Sequence, residues 1–224
     1  MTSKNFKYLD ELIHSGEKEI VLDSDIILDE NESSNTPYII KLDFNNLVID
    51  GNGYAIDGKN KTCMFLCTGE NITIKNITIK NIKFENPLMK KGMWSAINNC
   101  GGQLNIIDSI FKDNYGFGGA IFNHEGVLGI IRCKFLHNFA VRVGGAIYTV
   151  GGLTIINNSL FSNNEAIHYG GAIYAPTGVL NIRNSKFSNN TAGYDGGAIN
   201  SHDNVLNLKN CTFEDNKRDD VYKY

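Results

Sequence analysis

Three side chains of different chemistry, Arg142, His168 and Tyr194, recur 26 residues apart, each two positions ahead of a Gly-Gly pair. One position later come Phe117, Val143, Tyr169 and Asp195, again one per interval. A guanidinium, an imidazole, two phenols and a carboxylate on one strip can grip a sugar chain through ring stacking and hydrogen bonds to its hydroxyls. A second set, Phe122, Tyr148 and Tyr174, follows the Ile of a recurrent Gly-Gly-Ala-Ile. If that Ile turns inward, strand alternation turns these rings outward, where they stack as an aromatic platform. The bland alternatives are a solvated loop face for the first set and ring stacking that merely stabilises a sheet for the second.

Catalysis asks for more. A glycosidase needs two carboxylates flanking one bond, and a lyase needs a base plus neutralisation of the sugar acid. The strand-borne acids Asp108, Asp113, Glu214 and Asp215 are scattered along the chain. Repeat alignment puts Asp108 beneath Arg132 and Asp113 beneath His137, while His124-Glu125 and His202-Asp203 share columns three coils apart. No acid pair with a base emerges; an enzyme would have to use Arg142, His168, Tyr194 and Asp195. Asp50 and Asp57 precede glycines and read as turn residues before calcium ligands. Of the five cysteines, Cys63 and Cys67 lack a matching His/Cys pair for zinc. Cys133 and Cys211 share one inward column three coils apart, about 14 Å at strand spacing, too far to bridge. No metal, cofactor or catalytic residue is expected.

The elements that position these residues are repeats. Gly-Gly-Ala-Ile starts at Gly118, Gly144, Gly170 and Gly196, and Phe-x-x-Asn starts at Phe111, Phe135, Phe161, Phe187 and Phe213. A period in the twenties marks a solenoid whose units share one core. Segments such as VLNIRNSKF alternate apolar and polar residues, which is a strand signature. Each coil is expected to hold three strands, the LNI, S-x-F and GAI pieces, stacked as a parallel β-helix. Columns then become ladders: the five Phe, the Ile of each GAI, and Asn114, Asn138, Asn164, Asn190 and Asn216 as an amide ladder at a turn. The segments between the two phrases vary most and read as loops stacked into one face.

The pairing of GGAI with FxxN resembles the repeats of chlamydial polymorphic membrane proteins and of adhesin-like proteins from methanogenic archaea. That resemblance covers roughly residues 47–216 and implies the pectin-lyase-like, right-handed β-helix class. It further implies an adhesin-like module that binds glycans or a cell surface, with a polysaccharide lyase or glycoside hydrolase as runner-up and a structural, self-assembling repeat as third reading.

Three segments follow: residues 1–46 as cap and irregular first coil, 47–216 as repeats, and 217–224 as a tail, about seven coils in one all-β domain. Residues 4–15 read as an amphipathic helix capped by Ser3 and ended by Gly16, plugging the open end. Phe84 reads as inward-facing, Trp94 opens the degenerate counterpart of GGAI, and the loop 87–93 is expected to protrude. A net charge of −3 argues against nucleic acid. No apolar stretch of membrane-spanning length occurs, and the first residues are not a secretory signal. The compartment stays open: the resemblance implies the cell surface, while the chain shows no signal or anchor. The bare final coil suggests end-to-end self-association.

Overall fold

The computed structural model describes residues 3–29, 31–32, 38–61, 63–83 and 95–224. Phe84, Trp94, the 87–93 loop and most of the 31–37 loop lie outside them. The described chain is a parallel β-solenoid of about seven turns with one short helix. Its strands form sheets of thirteen, eight and four members, and every pair of named strands is parallel.

Like residues lie over like. Phe111, Phe135, Phe161, Phe187 and Phe213 pair in register along the eight-stranded sheet. Their rings stack with centroids 5.0, 4.8, 4.8 and 5.1 Å apart and planes within 10° of parallel. Ile97, Ile121, Ile147, Ile173 and Ile199 form a second buried wall. At the turn, Asn138 Nδ2 donates to Asn164 Oδ1 at 3.0 Å and to the Phe111 carbonyl at 3.0 Å. Asn164 and Asn190 repeat that pattern one coil on. Each amide thereby closes the turn below and links to the amide above, which satisfies a buried polar group. The serine column does similar work: Ser159 Oγ accepts from Cys133 N–H, and Ser185 Oγ from Ser159 N–H.

Three expectations need correction. First, the LNI and GAI pieces are not separate in later coils but run on as single eleven-residue strands, Ile147–Asn157, Ile173–Arg183 and Ile199–Lys209. Second, part of each supposed loop is a two-residue strand. Tyr115–Gly116, Phe139–Ala140, Glu165–Ala166 and Thr191–Ala192 build the third sheet, with Ala140, Ala166 and Ala192 turned inward. Small inward residues let that wall lie close to the core, which hid it from hydrophobic periodicity. Third, the helix spans Phe6–Ile13 and is capped by Asn5, not Ser3: Asn5 Oδ1 accepts from Tyr8 N–H at 3.0 Å. The Glu32 carboxylate takes the Phe6 and Lys7 amides as well. Phe6, Leu9 and Ile13 are buried over the first coil.

The Gly-Gly pair has a steric reason. Gly144 sits at φ +63°, and a Cβ there would come within 2.2 Å of the Ile147 carbonyl. A Cβ on Gly145 would meet the Gly171 carbonyl of the next coil at 2.1 Å. This turn hands the chain from the short third sheet into the long strand, and the candidate site flanks it.

Candidate functional site

The column of Arg142, His168 and Tyr194 is real: His168 N–H donates to the Arg142 carbonyl at 2.8 Å, and Tyr194 N–H to the His168 carbonyl at 2.7 Å. Its side chains do not act alike. His168 and Tyr194 stack with centroids 5.3 Å apart and planes 9° from parallel. The Arg142 guanidinium instead turns over the Phe117 ring, 5.4 Å from its centroid. Val143 and Tyr169 bridge in parallel, and the Asp195 carbonyl accepts from Gly170 N–H at 3.1 Å, so the neighbouring column holds too.

Phe122, Tyr148 and Tyr174 stack in order at 5.1 and 5.4 Å. They do not form an exposed platform. Phe122 is buried, and Tyr148 and Tyr174 are half-buried, their hydroxyl pKa values raised chiefly by burial. The cause is the Gly-Gly turn, whose backbone leans on the ring column; a Cβ at Gly118 would stand 2.8 Å from Tyr148 Cβ.

The structure joins what sequence kept apart. The Tyr169 ring lies 6.0 Å from Tyr174 and 5.4 Å from Tyr194. Six rings therefore run as one band: Phe122, Tyr148, Tyr174, Tyr169, Tyr194 and His168. The band is covered at the Phe122 end and open at Tyr194, which is 55 % exposed. At the open end, Tyr169, Gly193, Tyr194, Asp195 and Arg218 line a shallow depression of about 370 Å³. Arg218 escaped sequence reasoning because it belongs to the tail and has no counterpart in the repeats; its φ of +83° carries the chain back over the last coil.

Two of the larger concavities lie elsewhere. One of about 660 Å³ sits beside the cap helix, with Lys4, Tyr8, Lys59 and Lys61 on its rim. The other, about 650 Å³, follows the corner past Arg132, Lys134, Asn158, Asn184 and Lys186. Two of its cations are engaged: Arg132 grips Asp108 through two bonds of 2.6 and 2.7 Å, and Lys186 meets Glu214 at 2.6 Å. Asp50 and Asp57 accept from the amides of Asn52 and Lys59 and face Lys75 and Lys80. Among the described residues no cluster of three or more His, Cys, Asp or Glu is arranged for a metal.

The fold defines a repeat protein of the parallel β-solenoid class, with these six rings running as a band along it. The profile of the Chlamydia polymorphic membrane protein repeat matches residues 158–176 and 184–202. Each matched segment runs through one Phe-x-x-Asn and one Gly-Gly-Ala-Ile, so two coils are similar to that repeat. They carry His168, Tyr169, Tyr174, Tyr194 and Asp195. No curated protein and no solved structure matches the chain. No described helix is long and apolar enough to cross a membrane.

Proposed function

We propose that the chain is an adhesin-like binding module that recognises glycans or a cell surface through the open end of its aromatic band. The observation carrying this reading is the convergence of the stacked rings of half-buried His168 and exposed Tyr194 with a carboxylate at Asp195 and a guanidinium at Arg218. Rings fit the apolar face of a pyranose, and the flanking charges fit its hydroxyls. The repeat likeness supports an adhesin-like role, at or outside the cell surface. Right-handed coiling and the pectin-lyase-like class form part of the proposal, supported by the strong right-handed preference of parallel crossovers. The test is a glycan array probed with the wild type, with Tyr194→Ala combined with His168→Ala, and with Lys134→Ala as a control remote from the band. Glycan binding lost only in the double variant is expected. Binding that survives it, or no glycan binding by the wild type, contradicts the reading.

A further inference from the structure

At its C-terminal end the stack finishes as a ramp. Val221–Lys223 pairs with Ile199–Ser201, and Asp220 Oδ1 accepts from Asn216 Nδ2 at 2.9 Å, closing the Asn column. That covers one half of the last coil. Over the other half, residues 203–209 and the strand Thr212–Glu214 pair only backward among the described residues. Core positions surface as a result. Leu180, Ile182 and Phe187 are fully buried, while Leu206 and Phe213 above them are only partly covered and Leu208 is 37 % exposed. The open backbone groups can be assigned. The Lys209 carbonyl accepts from Asn184 N–H behind it, so the groups of Leu208, and of Leu206 two residues back, point forward.

We propose that this half-edge is an interface with a second copy of the chain, two solenoids meeting tail to tail through antiparallel pairing of residues 203–209 about Leu206. In that register Leu206 meets its own mate and the two exchange both backbone hydrogen bonds. Asp203 of each copy then faces Lys209 of the other, so the charges at both ends of the segment match when it is reversed upon itself. That self-complementarity selects a second copy over an unrelated strand. A two-fold operator also fits the ramp, because the raised half of each copy lies opposite the open half of its mate. At the other end the core side chains Ile20, Ile26 and Ile40 are buried with Phe6, Leu9 and Ile13 of the cap helix, and Lys4 pairs with Ile26, so no core position there is laid open as Leu208 is among the described residues. A two-fold contact of this kind closes at two copies.

Sedimentation equilibrium across a concentration series tests this. The wild type is expected to approach twice the 24.8 kDa chain mass. Leu208→Lys, at a side chain already part-exposed in one copy, is expected to abolish the dimer with an unchanged circular dichroism spectrum. Asp203→Lys and Lys209→Asp should each weaken the dimer by about tenfold, and the two together should restore it. A wild type that stays monomeric overturns the proposal, since the edge then serves a different strand. So does a dimer indifferent to the charge swap, since the copies then meet elsewhere.

Discussion

Two columns of the solenoid run side by side and obey opposite rules. From Asn114 to Asn216 the same amide occupies every floor, buried on the first four. Four residues further along each coil, successive floors carry Arg142, His168 and Tyr194. The amide column is uniform because each side chain accepts from one backbone N–H and donates to one backbone carbonyl of the floor below while donating to the next amide above, which needs a donor and an acceptor on one short side chain. The second column has no such duty: its backbone is paired by the ladder itself, and its side chains point out. Uniformity therefore marks what holds the stack together, and variety marks where the surface is free to recognise something.

That contrast can be broken from the structural side first. Phe161→Ala removes the middle ring of the stack and should cost about 4 kcal/mol in denaturant unfolding. Asn164→Ala strands the Asn138 amide and the Phe135 carbonyl in the interior, and a loss of about 3 kcal/mol is expected. A loss below about 1 kcal/mol would mean the amides are not a structural ladder.

Alkali probes the same core. Burial pushes the Cys133 thiol up to about 11 and the Cys67 thiol up to about 12. Unfolded thiols ionise near pH 8.5 or so, so above that pH the unfolded chain releases protons that the folded chain keeps. These thiols should leave stability unchanged below about pH 8 and lower it progressively toward pH 11. Cys133→Ser, which restores the hydroxyl of the neighbouring coils, should flatten part of that fall in pH-dependent melts. A thiol reagent at pH 8 should label Cys211, on the open coil, well before Cys133.

Smaller effects sharpen the comparison. Glu125 holds φ +56° in a column where Gly101 and Gly151 hold +76° and +67°. Glu125→Gly should relieve left-handed strain and gain about 0.5–1 kcal/mol, read as a rise in melting temperature. Tyr194→Ala should move stability by less than about 0.5 kcal/mol. A large destabilisation there would make the ring structural and remove it from the binding face.

Most of the scaffold was legible because stacking converts a sequence period directly into contact: Phe over Phe and Asn over Asn need only the repeat interval, 24 residues at the first step and 26 after it. The third sheet was not, since its inward residues are Gly116 and alanines, too small to register as a hydrophobic pattern. Nor was the buried polar track in which Asn99 donates to Asn123 and Asn123 to Thr149 and Thr154, because its members differ from floor to floor. At the candidate site, sequence supplied the two ring columns and their order. It could not supply the Tyr169 bridge, the cover over Phe122, or Arg218, each of which depends on how a turn or the tail folds back over a neighbouring coil.

The measurement closest to the centre is a double-mutant cycle between Asn138 and Asn164, repeated between Asn138 and Asn190. Stacked neighbours joined by two hydrogen bonds should show a coupling of about 1–3 kcal/mol, and residues two floors apart should add independently. Additive effects for Asn138 and Asn164 would mean that residues 26 apart do not lie on adjoining floors.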